Sequence, residues 1–167
     1  LTLTAITDGD YNVAVGKAAG DSITTGEGNV LMGYLAGDVA STTSNAVAIG
    51  REAYSDAAGS SGTVAIGAYA LKMVTGSENV GIGFEALKNV VSGAGNVAIG
   101  YEAAEGFGNG ETGNIAIGYE AMVSADEGSG SGNEIDNNIG IGYQALTMGD
   151  FGSTGSRVAK RNVAIGS

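Results

Sequence analysis

Apolar and small residues alternate in short runs along the chain, and each run closes on a glycine. The runs read NVAVG from Asn12, NVLMG from Asn29, AVAIG from Ala46, TVAIG from Thr63, NVGIG from Asn79, NVAIG from Asn96, NIAIG from Asn114, NIGIG from Asn138 and NVAIG from Asn162. A period of two places successive side chains on opposite faces of an extended backbone, and β-branched residues favour that backbone. Each run therefore predicts a short strand with Val and Ile on one face and Asn and Ala on the other. The larger set is expected to form the repeat core: Val13, Val30, Val47, Ile49, Val64, Ile66, Val80, Ile82, Val97, Ile99, Ile115, Ile117, Ile139, Ile141, Val163 and Ile165.

The closing glycines stand at 16, 33, 50, 67, 83, 100, 118, 142 and 166, so successive units measure 17, 17, 17, 16, 17, 18, 24 and 24 residues. An Ala follows three residues after every closing glycine that opens a complete unit, at 19, 36, 53, 70, 86, 103, 121 and 145. Later units continue as FEAL from Phe84, YEAA from Tyr101, YEAM from Tyr119 and YQAL from Tyr143, and Gly/Ser/Thr-rich links such as VTGSEN and VSGAGN lead to the next strand. One strand, a glycine corner, a second short extended piece and a glycine-rich return make up one coil of a stacked repeat. The expected fold is all-β, a parallel β-solenoid or β-roll of about nine coils over residues 12–167, with residues 1–11 leading in from a missing N-terminal part. Both ends read as cuts, since the chain opens at Leu1 without a Met and stops at Ser167 directly after a repeat motif. Rungs about 4.8 Å apart would make the stack roughly 40 Å tall.

Few apolar side chains per coil barely offset the entropy of ordering the unit, so a lone column is expected to be marginal. Gly replaces Ala at Gly81 and Gly140, where a neighbouring backbone is expected to approach. Columns associating side by side as a parallel homotrimer with a shared core follow from this.

Composition narrows the chemistry. With 31 Gly and no Pro, Cys, Trp or His, the chain lacks the commonest general base and metal ligand, the thiol nucleophile and any disulfide framework. No cofactor is expected. A formal charge of −11 repels phosphate backbones and anionic headgroups, so neither nucleic acid nor membrane insertion of this segment is expected. Arg157, Lys160 and Arg161 form one short basic cluster, read as local salt partners in a loop.

The strings GNVAIGYEAA, SENVGIGFEAL and NNIGIGYQALT resemble the N-T-A-I-G-Y-x-A-L repeats of phage tail-fibre and tailspike proteins. They are also similar to the N-S-V-A-I-G repeats of trimeric autotransporter adhesin heads. The resemblance covers about residues 11 to 167, and the Tyr-x-Ala-Leu continuation is closer to the fibre type. It implies a trimeric, extended rod, on a virion or at the cell surface, that carries or forms a binding surface for a cell-surface receptor or glycan. The 24-residue late units depart from both patterns.

Several motifs invite sharper readings. GIGFEA from Gly81 imitates a dinucleotide-binding turn, but it is the repeat with Gly in place of Ala, and no helical segment follows. The acids Glu52, Glu85, Glu102 and Glu120 are expected to line one edge as a solvated stripe; a glycosidase pair of the kind some tailspikes use should break the pattern, and these follow it. Asp126, Glu127, Glu134 and Asp136 gather in the insertion SADEGSGSGNEIDN, without the order of a calcium loop, and are candidate receptor or glycan contacts. Tyr34, Phe84, Tyr101, Tyr119 and Tyr143 should form a ladder that packs over the neighbouring coil or subunit; Tyr101, Tyr119 and Tyr143 are also candidate sugar contacts. The expected role is a structural and adhesive fibre segment with no catalysis. A bacterial surface adhesin head and a polysaccharide-degrading tailspike are the alternatives.

Overall fold

The computed structural model describes residues 3, 7–57, 59–108, 110–123, 134–147 and 158–167. The described residues contain eleven strands and no helix: β1 (Val13–Val15), β2 (Val30–Met32), β3 (Val47–Ile49), β4 (Val64–Ile66), β5 (Val80–Ile82), β6 (Val97–Ile99), β7 (Ile115–Ile117), β8 (Glu134–Asp136), β9 (Ile139–Ile141), β10 (Val158–Lys160) and β11 (Val163–Ile165). Nine of them form one parallel sheet in the order β1-β2-β3-β4-β5-β6-β7-β9-β11, each paired with the next copy of the same motif. The register carries no offset: Val47 faces Val64, Ala48 faces Ala65 and Ile49 faces Ile66. This is a β-solenoid architecture, in which each coil is one repeat.

Hydrogen bonds between coils extend beyond the strands. Each closing glycine lies at φ between +130° and +143°, a region that a side chain rarely tolerates. A methyl group on Gly50 would stand 2.5 Å from the carbonyl oxygen of Gly67 in the next coil. Only a residue without Cβ lets the corners stack this closely.

The piece after the corner is not extended, as the sequence suggested, but tightly turned. Left-handed φ values near +50° to +60° recur at the second and fourth residues after each closing glycine, for instance Glu52 and Tyr54, Glu85 and Leu87, Glu102 and Ala104. The alternation swings successive N–H groups to opposite ends of the coil. Glu52 N–H donates to Tyr34 in the preceding coil at 2.8 Å, and Tyr54 N–H donates to Ala70 in the following one at 3.0 Å. These bonds between coils offset the cost of left-handed backbone at non-glycine residues.

The two faces of the strand are reversed relative to expectation. None of the sixteen Val and Ile residues expected to form the core is buried; they point outward, and Val13, Ile49, Ile99, Val163 and Ile165 are among the exposed apolar side chains. The interior belongs to the other face: Leu31, Ala48, Ala65, Ala98 and Ala116 are buried, with the Ala that follows each corner opposite them. The physical reason is the width of the coil. Leu71, Leu87 and Met122, fourth after their corners, are fully buried and fill the space that a large mid-strand residue would need. A Cβ on Gly81 would come within 2.9 Å of Leu71 Cγ, and one on Gly140 within 2.7 Å of Met122 Cγ. These two glycines thus admit side chains of their own chain, not a neighbouring backbone. The converse swap appears where Leu31 occupies the mid-strand site: Gly20 and Gly37 stand at the fourth position, each with a would-be Cβ 2.8 Å from a Leu31 methyl. Volume is conserved across the coil.

The first strand residue's predecessor builds an inner polar ladder. Asn79, Asn96, Asn114 and Asn138 are buried, and the side-chain oxygen of each accepts both the backbone N–H and the side-chain amide of the next, as for Asn96 on Asn79 at 2.9 and 3.1 Å. Each side-chain amide also donates to the return of the next coil, Asn79 to the Gly93 carbonyl at 2.8 Å and Asn96 to that of Glu111 at 2.7 Å. Ala46 and Thr63 interrupt the ladder. There Tyr54 enters the core, its hydroxyl 3.1 Å from Thr43 Oγ1 and 2.6 Å from the Ser60 carbonyl.

Candidate interaction surface

The residue directly after each closing glycine forms an outer column. From the fifth to the eighth corner it reads Phe84, Tyr101, Tyr119, Tyr143, and these rings stack with centroids 5.3, 5.1 and 5.3 Å apart and planes within 12° of parallel. The spacing follows the rung repeat of the sheet, about 4.8 Å, lengthened slightly by the offset of the rings. Tyr69 meets Phe84 edge-on at 6.0 Å, and Arg51 lies over the Tyr69 ring at 4.8 Å from its centroid. Tyr34, lower in the column, has Lys17 over its ring at 5.8 Å. The aromatics thus pack over the neighbouring coil. Within the stack the ring faces meet one another, so edges and hydroxyls are what Tyr101 and Tyr119 turn outward; Tyr143 is the most exposed of the three.

The next residue gives a parallel column containing Glu52, Glu85, Glu102 and Glu120, in the phase the sequence predicted. It is more than a solvated stripe. Lys72 reaches Glu52 at 2.8 Å and Asp56 at 3.7 Å, Lys88 reaches Glu85 at 2.9 Å, and Gln144 donates to Glu120 at 2.7 Å. The hydrogen bond and charge of Glu52 hold the Lys72 ammonium above its ordinary value, against the opposing effect of burial. Beside the ring stack, a hydrogen bond to Glu102 pushes the Tyr101 phenol up to about 12, and one to Glu120 raises that of Tyr119. The phenols keep their protons because ionisation would place an anion against a carboxylate.

The two 24-residue units bring a second, two-stranded parallel sheet, β8 from the first and β10 from the second. Ile135 at its centre is fully buried. Asp136 ties this sheet to the preceding coil, accepting from the Thr112 N–H at 2.9 Å and from its hydroxyl at 3.0 Å, and it pairs with Lys160 at 3.6 Å. Glu134 opens the same strand, whereas Asp126, Glu127 and Arg157 lie outside the described residues. Among the described residues no group of three or more acidic side chains is placed to hold a metal ion, and no helix is long and apolar enough to cross a membrane.

The feature that sequence reasoning missed is the outward sheet face itself. Alternation showed that Val and Ile share a face, but nothing local marks which face turns out. Met32 is 40% exposed, Ile49 and Ile99 are each 36% exposed, and the columns rise in register beside the ring stack. Such a contiguous apolar face is unusual for a lone soluble chain. Comparison with protein-family models, with curated proteins and with solved structures finds no match. The fold and surface define a regular parallel solenoid with one apolar and one aromatic-acidic face, and any functional reading stands on that geometry.

Proposed function

We propose that this chain is a structural and adhesive fibre segment, working as a parallel homotrimer in which the outward Val and Ile columns of three copies meet around a common axis. The observation that carries the reading is the unburied, uncharged sheet face repeated in register along the stack. A partner matched to that face must present apolar side chains at the same rung spacing. A second and third copy of this chain, aligned in parallel, meet that requirement at every coil. Closure around an axis parallel to the stack also leaves the aromatic and acidic columns free at the subunit edges. The resemblance of the repeats to tail-fibre modules supports assigning such a rod to a phage tail fibre or related virion fibre, where it positions or forms a surface for a host receptor.

Light scattering over about a hundredfold range of dilution tests the assembly. The expected result is a stable mass three times that of one chain. The double variant Ile82→Lys with Ile99→Lys should fall to the single-chain mass while keeping the β-type circular dichroism, because both side chains point away from the coil interior. A wild-type chain that stays folded at single-chain mass overturns the reading. Labelled trimer should decorate bacterial cells, and its failure to adsorb to any host of a fibre-bearing phage would remove the adhesive part.

A further inference from the structure

Tyr101 and Tyr119 are successive rungs of the ring stack, with centroids 5.1 Å apart and planes 6° from parallel. Both are accessible, at 42% and 44% exposure. Each phenol is also followed in sequence by a carboxylate, Glu102 after Tyr101 and Glu120 after Tyr119, that raises its proton affinity. We propose that this pair is an oxidative cross-linking site, at which a peroxidase-class one-electron oxidant supplied with hydrogen peroxide joins the two rings carbon to carbon and staples adjacent coils.

Each phenol loses one electron to the oxidant and its proton to the adjacent carboxylate, leaving two neutral phenoxyl radicals. These combine at their ortho carbons, and both ring hydrogens then move to oxygen and restore two phenols. The net loss is two electrons and two protons, which reduce one hydrogen peroxide to two waters. Three features favour this pair. The carboxylate of the following residue is the basic group to take the proton as the electron leaves, avoiding a high-energy phenol radical cation. The rungs hold the rings in contact, so coupling competes well with escape of the radicals, as in any preassembled bimolecular step. The neighbours lack one element each: Phe84 has no hydroxyl, and Tyr143 is followed by Gln144, whose amide donates to Glu120 and offers no basic oxygen comparable to a carboxylate. The bond would close a loop between consecutive coils and restrict their separation, much as a disulfide restricts an unfolded chain.

The full chain is treated with peroxidase and hydrogen peroxide, and dityrosine fluorescence is followed. The expected product runs as a single chain on a denaturing gel and has lost two hydrogens. Digestion after glutamate, which separates the three stacked tyrosines, should return the fragment ending at Glu102 joined to the one ending at Glu120. Tyr119→Phe should abolish this link and Tyr143→Phe should leave it. Glu102→Gln with Glu120→Gln should slow its formation several-fold while the aromatic circular dichroism of the stack persists. Links found only between chains, links spread evenly over the tyrosines, or a yield unchanged when the chain is first unfolded in urea would each overturn the proposal. An intrachain link is expected in single chains and trimers alike, so the result is independent of the assembly reading.

Discussion

Two residues of the repeat, Asn in seven of its nine copies and Gly in all nine, fill roles specific to their chemistry. The side chain of Asn96 serves four groups at once: the oxygen accepts from Asn114 N–H and Nδ2, and the amide donates to Asn79 Oδ1 and the Glu111 carbonyl. Asn96→Ala would leave these groups buried without that partner, which should cost about 3 kcal/mol in urea unfolding. The native Ala46 does not predict a milder outcome, because Tyr54 brings a hydroxyl into that part of the core and the Ala46 N–H still finds Asn29 at 2.9 Å. At the corner, Gly100 sits at φ +143°, and a Cβ would strike the Gly118 carbonyl. Gly100→Ala combines backbone strain with a clash against main chain and should destabilise by about 3 kcal/mol or more, read from the fall in the urea-unfolding midpoint multiplied by the m-value. The need for Gly at this place was plain from the repeat. The left-handed conformation of Glu102 two residues later was not, since nothing about a glutamate announces it; it follows from hydrogen bonds to coils that only the stack supplies.

Among the elements, the strands are only three residues long and none has meaning alone. Their stability comes from pairing with copies of themselves, and the columns beside them inherit that register. The glutamate column raises the proton affinity of the phenols beside it, which gives a pH signature. Tyr101 has an ordinary value of 10.0 when unfolded and about 12 when folded. The folded chain therefore binds the proton more tightly, so this group's contribution to stability is complete below about 10 and is lost as pH rises towards 12. Tyrosinate absorbance should lag in the native chain relative to the urea-unfolded one across that window. Glu102→Gln should bring the native titration back towards the ordinary tyrosine value, because the hydrogen-bonded carboxylate is the largest cause of the shift. The phasing of both columns was readable as FEAL, YEAA and YEAM; the ring contacts and the ion pairs of Glu52 and Glu85 with Lys72 and Lys88 were not, because those depend on rotamers and on the distance between coils.

For the molecule as a whole, a stack in which each coil contacts its neighbours behaves as a one-dimensional array, with stability close to a sum of unit and interface contributions. Removing one complete repeat, residues 84–100, should splice Gly83 directly to Tyr101. The Asn79 ladder would then meet Asn114, Phe84 would leave the ring stack, and the remaining columns would close in register. The shortened chain is expected to keep its β circular dichroism and a cooperative melt, with a modest fall in midpoint. Removing half a repeat, residues 84–91, should cost far more, because the nine residues left from 92 to 100 cannot close a coil and the stacks before and after it lose their shared interface.

The sequence by itself determined the period, the nine motif positions, the glycine corners and the Ala three residues after the first eight of them, because these are repeated locally and each copy checks the others. It also determined that Val and Ile share one face and Asn and Ala share the other. Which face turns inward was decided only by the tertiary structure. A narrow coil has room for Leu71, Leu87 or Met122 from one wall and for Ala or Gly from the other, and the branched strand residues are left to the outside. That choice depends on the volume enclosed by a closed coil, a quantity that no alternation of residues along an open chain contains.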